Sequence, residues 1–157
     1  MTAISWIKRR PVAHRGLHDG NKKVWENTLA AFSAAMKREF PIECDLHLTK
    51  DGIPVVFHDS PLKRLTGEEG HARDLTAKQM CALHIGGTAE RVPTLDEMLA
   101  HVGGKVPLVI ELKGDDGHDD GLVKSVGKSL SKYRGKAAIM SFNHHLIRQF
   151  AKHAPDV

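Results

Sequence analysis

Two acidic residues, Glu43 and Asp45, stand two positions apart in an otherwise apolar, strand-like run at residues 42–46. Successive side chains of a β-strand alternate between its faces, so both carboxylates are predicted to lie on the same face. Burial of a carboxylate is costly unless a cation or hydrogen-bond donors lie beside it. The spacing therefore indicates either a solvent-exposed strand face or a site built around a cation.

Three other apolar segments also end in ionisable residues, and this repetition favours a functional site over an exposed face. The side chains are Glu111 and Lys113 after residues 108–110, His58 and Asp59 after residues 55–57, and His14 and Arg15 after residues 11–13. Several strands that each carry ionisable groups near the C-terminal end can bring these groups together at one edge of a sheet.

The composition indicates one folded domain, residues 1–157, of ordinary globular character, with 41% hydrophobic and 27% charged residues. A net charge of +4 favours an anionic partner. The basic residues are scattered among acidic ones and aromatic residues make up only 5% of the chain, so nucleic-acid binding is disfavoured.

The chain is expected in the cytoplasm, without stable insertion into a membrane. Its two cysteines, Cys44 and Cys81, are interpreted as reduced packing residues. The apolar start precedes the basic residues 8–10, the reverse of a secretory signal, and no apolar run is long enough to span a bilayer.

Five strands are predicted from the apolar runs, near residues 12–14, 41–48, 54–58, 107–112 and 137–142. Helices are predicted from Asn27 as N-cap, after Thr76, from Thr94 with Glu97 completing a capping box, from Asp119 or Asp120, and from Asn143. The acidic run at residues 115–120 resembles a metal cluster, but its place before a helix favours N-capping.

Strands that alternate with helices favour an α/β fold with a parallel sheet and outer helices. A dinucleotide-binding sheet would have a Gly-x-Gly-x-x-Gly turn after its first strand, and Gly16-Leu-His-Asp-Gly20 does not match it. A (β/α)8 TIM-type barrel gathers functional residues from many strand ends onto one face. The barrel is therefore the preferred fold.

Seven short motifs resemble, in order, those of the glycerophosphodiester phosphodiesterase family. They are His14-Arg15-Gly16, Glu26-Asn27-Thr28, Glu43-x-Asp45, Thr49-Lys50-Asp51-Gly52, Val56-Phe57-His58-Asp59, Pro93-Thr94-Leu95-x-Glu97 and Glu111-x-Lys113. The resemblance extends from Pro11 to about Phe142. It implies a barrel with one divalent cation and a two-histidine mechanism that cleaves a small anionic glycerophosphodiester to an alcohol and glycerol 3-phosphate.

The resemblance also implies a role for each matching residue. Glu43, Asp45 and Glu111 would bind the metal, His14 and His58 would be the acid-base pair, and Arg15 and Lys113 would contact the phosphate. The residue chemistry agrees, because three carboxylates suit Mg²⁺ or Ca²⁺ and histidine titrates near neutral pH. Either water or a glycerol hydroxyl can serve as the nucleophile, and either histidine as the base.

The remaining polar residues receive simpler interpretations. His47 shares a face with Asp45 and either lines the site or is an ordinary rim residue, and the rim interpretation is preferred. Asp59 either orients His58 or closes a turn. Glu26 and Asn27 either reach the site or do not, and a role as helix cap is sufficient to explain Asn27. The histidines interpreted as solvent-facing or packing residues are His71, His84, His101, His144, His145 and His153.

A complete barrel needs about 250 residues, so the chain is expected to supply the first five strands and to lack the C-terminal βα units. The open edges of such a sheet predict self-association, poor packing and little activity for the chain alone. Two other functions stay open. One is a phosphodiesterase that acts on lysophospholipids, and the other is a non-catalytic truncated barrel.

Overall fold

The structure, a computed structural model, describes residues 5–114 and 120–154. One sheet contains the strands β1 (Ile42–Leu48), β2 (Pro54–Val56), β3 (Leu108–Leu112) and β4 (Ala137–Met140), in the order β2-β1-β3-β4. The helices are α1 (Leu29–Lys37), α2 (Lys63–Thr66), α3 (Ala77–Met80), α4 (Leu95–Val102), α5 (Asp120–Leu130) and α6 (His144–His153), and short 3-10 helices cover Ser5–Lys8 and Ala72–Asp74. The chain is therefore an α/β protein, as predicted.

The predicted parallel arrangement holds for three strands and is wrong for β2. Strands β1, β3 and β4 run parallel, whereas β2 is antiparallel to β1. The turn between β1 and β2 is stabilised by Thr49, whose hydroxyl donates to Asp51 at 2.7 Å and accepts from the Ile53 amide at 3.0 Å. A connection this short can only reverse the chain, because parallel neighbours need a crossover of a dozen or more residues.

The strand predicted at residues 12–14 is reduced to one bridge between Ala13 and Ile42. The chain turns away directly afterwards, where Arg15 and Gly16 have φ values of 57° and 79°. Positive φ is incompatible with an extended strand, so the pairing cannot continue.

The barrel is not closed within the described segments, and the prediction of five barrel strands is not confirmed. The sheet is open: β2 and β4 form its two ends, and within residues 5–114 and 120–154 neither pairs with a further strand on its outer side. All four residues of β4 are half-buried, in contrast to β1, where only Leu48 is not fully buried.

The helix caps agree with the sequence prediction at two sites and differ at a third. Thr94 and Glu97 form the predicted capping box of α4, and Asn143 caps α6. Helix α1 starts one residue later than predicted, because Thr28 accepts from the Ala31 amide as its N-cap. Asn27 is therefore not a cap. The acidic run at residues 115–119 lies outside the described residues.

The helix-facing side of the sheet packs into the larger of two hydrophobic clusters. Its buried strand residues are Ile42, Cys44, Leu46, Val56, Leu108, Ile110 and Leu112, and they meet apolar side chains from α1, α4, α5 and α6. The smaller cluster lies under the irregular segment after β2 and contains Val55, Phe57, Leu62, Leu65, Met80 and Ile85. None of the helices in the described part of the chain is long and apolar enough to cross a membrane.

Candidate active site

Three buried carboxylates lie on the face of the sheet opposite the helices. Asp45 of β1 pairs in register with Glu111 of β3, and Glu43 lies two residues before Asp45, so strand alternation puts all three on one face. Their exposed fractions are 6% for Glu43, 0% for Asp45 and 6% for Glu111. One oxygen of each carboxylate lies within 4.8 Å of the other two. The structure thus brings together the three residues that were predicted from the sequence to be metal ligands.

Asp45 lies at the centre of this cluster, and only one of its two carboxylate oxygens accepts a hydrogen bond. Its Oδ2 accepts a hydrogen bond from Asn27 Nδ2 at 2.9 Å and lies 3.5 Å from Arg15 Nε. Its Oδ1 lies 3.1 Å from Lys113 Nζ, but the two are not aligned for a hydrogen bond, and the atom has no other hydrogen-bond partner among the described groups. A buried oxygen left in this way is what a bound cation would satisfy.

Glu43 is held by the backbone, since its Oε2 accepts from the Arg15 amide at 2.9 Å. Burial and the neighbouring charge of Asp45 nevertheless raise the pKa of Glu43 to about 7. The three carboxylates lie beside two cationic side chains, Arg15 and Lys113. An oxygen-only donor set of three carboxylates fits a hard divalent cation, and such a cation would favour the ionised form of Glu43.

Lys113 is the fixed positive charge on the β3 side of the site. Its Nζ donates to Glu111 Oε1 at 2.6 Å. Burial alone would lower the pKa of Lys113, but the hydrogen bond to Glu111 and the charge of Asp45 hold it above its usual value. The ammonium group therefore stays charged and points into the carboxylate cluster.

His14 lies on a tight loop that packs closely against α1. The loop depends on Gly16, because a Cβ atom there would lie 2.7 Å from the Cβ of Ala31. His14 Nε2 lies 3.9 Å from Glu43 Oε2, and the side chain is 68% exposed. Partial burial and the charge of Arg15 lower the pKa of His14, so its neutral form is favoured.

His58 follows β2 and is held by side chains. Its Nδ1 lies 2.7 Å from Asp59 Oδ1, which favours the orienting role of Asp59 over the alternative that it only closes a turn. Hydrogen bonds from Arg64 hold the pKa of Asp59 at about 2. The ionised Asp59 carboxylate can only accept a hydrogen bond, so Nδ1 of His58 must be the donor. In the neutral ring Nε2 then carries no proton.

Three residues whose place at the site was left open by the sequence do belong to it, namely His47, Asn27 and Glu26. His47 is 3% exposed, so it is no rim residue, and its Nε2 donates to the His58 carbonyl at 2.9 Å. Asn27 has φ 55° and contacts Asp45 through its side chain. Glu26 also reaches the site, because it accepts from Arg15 Nη1 at 3.0 Å.

An open cleft of about 710 Å³ lies over this face of the sheet. Glu111, Lys113 and His58 line one part of it, and the turn from β4 into α6 lines another. That turn contributes Phe142, which is 83% exposed, together with His144 and His145. His144 is exposed and His145 partly buried, which agrees with their interpretation as solvent-facing or packing residues.

The α/β sheet thus brings three buried carboxylates together with two basic side chains and two histidines, a set of groups suited to a hard cation and an anionic ligand. The model of the glycerophosphoryl diester phosphodiesterase family matches residues 14–157. The chain belongs to this family.

Individual relatives agree with this assignment. A glycerophosphodiester phosphodiesterase of Caldanaerobacter subterraneus is 38% identical over 95% of the chain and 64% of its own length. One from Bacillus subtilis is 34% identical over 84% of the chain and 52% of its own length. The chain therefore spans less than two thirds of these relatives.

Solved structures give the same result for the fold. A phosphodiesterase of Oleispira antarctica, in complex with the product sn-glycerol-3-phosphate, superposes with a TM-score of 0.86 and 28% identity, over 98% of the chain and 65% of that protein. The glycerophosphodiester phosphodiesterase of Thermotoga maritima superposes with a TM-score of 0.73 and 33% identity, over 90% of the chain and 57% of that protein.

Proposed function

We propose that the chain is the N-terminal portion of a metal-dependent phosphodiesterase that cleaves small anionic glycerophosphodiesters to an alcohol and glycerol 3-phosphate. The observation that carries the proposal is the buried cluster of Glu43, Asp45 and Glu111, with His14 and His58 beside it. The names of the relatives, and the product bound to one of them, support the choice of substrate.

Glu43, Asp45 and Glu111 would hold one Mg²⁺ or Ca²⁺ ion through their oxygens. The bound ion would supply Lewis-acid polarisation of the phosphate and lower the pKa of a coordinated hydroxyl group. Arg15 and Lys113 would share the charge of the phosphate oxygens, Arg15 through its planar donor fork and Lys113 as a point charge.

The two histidines would divide the proton transfers. One takes a proton from the attacking hydroxyl group, of water or of the glycerol, and the other donates a proton to the leaving alkoxide. His58 would exchange its proton through Nε2, because the hydrogen bond to Asp59 occupies Nδ1. Each histidine is expected to contribute about 10²–10⁴-fold to the rate.

The open sheet is proposed to be the first part of a (β/α)8 barrel. Support comes from the relatives, of which the chain spans less than two thirds, and from the outer side of β4, which pairs with no strand of the described segments. The whole enzyme would then have further βα units beside β4.

A second candidate is hydrolysis of lysophospholipids. Phe142 at the cleft is 83% exposed and offers an apolar contact for an acyl chain. A substrate with such a chain would bury this ring, whereas a small glycerophosphodiester need not.

The experiment combines metal binding with hydrolysis. Calorimetric titration with Mg²⁺ and Ca²⁺ should reveal one site, which Glu43→Gln weakens, while Glu68→Gln, a change at an exposed acidic residue, leaves it intact. Hydrolysis of glycerophosphocholine and of a lysophospholipid is then compared with and without chelator. Full activity in excess chelator would rule out the metal assignment, and a preference for the lysophospholipid would favour the second candidate.

A further inference from the structure

The guanidinium group of Arg64 joins two carboxylates that come from separate parts of the chain. Its Nε and Nη2 donate to Asp59 Oδ2 and Oδ1 at 2.7 and 2.8 Å. Its Nη1 and Nη2 donate to Glu26 Oε2 and Oε1 at 3.0 and 2.7 Å. Paired hydrogen bonds of this kind fix the orientation of both carboxylates, which a single ammonium group does not achieve.

Each of these carboxylates contacts a different residue of the proposed catalytic site. Asp59 accepts from Nδ1 of His58 at 2.7 Å. Glu26 accepts from Nη1 of Arg15 at 3.0 Å. Asp59 therefore links Arg64 to the proposed acid-base group His58. Glu26 links Arg64 to the proposed phosphate contact Arg15.

Burial makes this network more than a surface ion pair. The side chain of Glu26 is 4% exposed and that of Asp59 20%, although Arg64 itself is 46% exposed. Burial alone would raise the pKa of Glu26, but hydrogen bonds from Arg64 and Asn21 hold it at about 2. Both carboxylates are therefore charged at neutral pH, and removal of Arg64 would leave them short of a partner.

The backbone that carries Arg64 is anchored in the smaller hydrophobic cluster. Leu62 and Leu65, on either side of Arg64 in sequence, are each 1% exposed. The Leu65 carbonyl accepts from the Gly86 amide at 2.8 Å, and α2 ends at Gly67, which has a φ of 79°. This short helix therefore holds the guanidinium in a fixed place relative to the site.

We propose that Arg64 is a positioning residue that holds His58 in the tautomer protonated on Nδ1 and orients Arg15 toward the phosphate. Asp59 and Glu26 transmit its effect to these two groups. The kinetic consequence rests on the proposed function, whereas the effect on the His58 ring does not. Arg64 itself touches neither substrate nor metal ligands in this arrangement.

The test uses the adjacent residue of the same helix as its control. Arg64→Gln removes the bridge, and Lys63→Gln removes an exposed ion pair with Glu69, whose two side chains are 64% and 83% exposed. Nitrogen-15 NMR of the imidazole rings reports the tautomer of His58 without any need for activity. We expect Nδ1-protonated His58 in the original protein and in Lys63→Gln, and a mixture of both tautomers in Arg64→Gln.

Kinetics provide the second measurement. In Arg64→Gln, kcat should fall about 10- to 100-fold, the loss expected for one charged hydrogen bond, and KM should rise as Arg15 loses its orientation. Lys63→Gln should change neither. If Arg64→Gln does not fold, Arg64→Lys replaces it, and its lysine should restore the tautomer only in part.

An unchanged His58 spectrum in a folded Arg64 variant would overturn the proposal, and so would an original protein whose His58 is not protonated on Nδ1. If the tautomer shifts as expected but the whole enzyme that contains the chain hydrolyses no phosphodiester, the positioning role stands and the proposed function fails.

Discussion

The two histidines of the site are held in opposite ways. His58 is 28% exposed, and its ring is hydrogen-bonded at 2.7 Å to the carboxylate of Asp59, which accepts two further hydrogen bonds from Arg64. His14 is 68% exposed, and its Nε2 lies 3.9 Å from Glu43, beyond hydrogen-bond distance. One ring is oriented before substrate arrives, whereas the other has only its location fixed.

The position of His14 is fixed by backbone hydrogen bonds of its neighbours. The Arg15 carbonyl accepts from the Asn27 amide at 2.8 Å, and the Gly16 amide donates to the Glu43 carbonyl at 3.2 Å. The His58 side depends instead on side chains. We therefore expect different changes to disturb the two histidines. Loss of a charged side chain should disturb His58, and a change in the backbone should disturb His14.

The largest effect is expected when either ring is removed. His58→Ala and His14→Ala should each lower kcat by about 10²–10⁴-fold, with a much smaller change in KM, because each ring transfers one proton. Steady-state kinetics provide the measurement, with His153→Ala as the control, since that histidine lies at the end of α6. Near-original turnover in either variant would remove that histidine from the mechanism.

The next effect separates the two sides. Asp59→Asn keeps the shape of the side chain but removes the charge that holds His58, so kcat should fall about 10- to 100-fold. Asp74→Asn, at an exposed position, serves as the control. A loss as large as that of His58→Ala would mean that Asp59 does more than orient the ring, and no loss would mean that the ring orients itself.

The carboxylate cluster was predictable because it follows from strand alternation and from the parallel pairing of β1 with β3. Glu43 and Asp45 share a face whatever the fold, and parallel pairing then brings Glu111 beside Asp45. The direction of β2 was also available in the sequence, since five residues between two strands cannot form a parallel crossover. The parallel sheet was predicted from the other strands, which alternate with helices.

Two features had no adequate local signal. Asn27 is a good N-cap by residue type, yet its backbone adopts φ 55° and its side chain bonds to Asp45, a partner 18 residues away that local patterns do not reveal. Arg64 lies in a four-residue helix and reaches Glu26 across 38 residues. Contacts of this range depend on how the irregular segment packs, which periodicity does not predict.

The third effect tests the backbone on the His14 side. Gly16→Ala should destabilise the protein by about 2 kcal/mol, because an alanine there adopts a left-handed conformation and also meets Ala31. Gly20→Ala is the matched control: Gly20 has nearly the same φ, 77°, but has no atom within 4 Å of its added Cβ. Chemical denaturation gives both values. Equal losses would show that the close approach to α1 costs nothing.

The smallest effect concerns acid. The pKa values of Glu26 and Asp59 are about 2 in the folded protein, below their ordinary values of 4.5 and 3.8. Groups whose pKa is lower in the folded state stabilise it fully above their unfolded pKa and lose this contribution as the pH falls through the folded pKa. The Arg64 network should therefore stabilise the protein at pH 5 to 7 and contribute progressively less from about pH 4.5 to pH 2.

Thermal melts across this range compare the two sides directly. The difference in Tm between the original protein and Arg64→Gln should shrink as the pH falls from 4.5 to 2, because protonation removes the negative charges of Glu26 and Asp59 that pair with Arg64. The difference for Gly16→Ala should stay constant, since that change alters no titratable group and Glu43, with a pKa of about 7, is already protonated there. A constant difference for Arg64→Gln would show that Glu26 and Asp59 gain no net stabilisation from its charge, and the contrast between the two histidines would then rest on geometry alone.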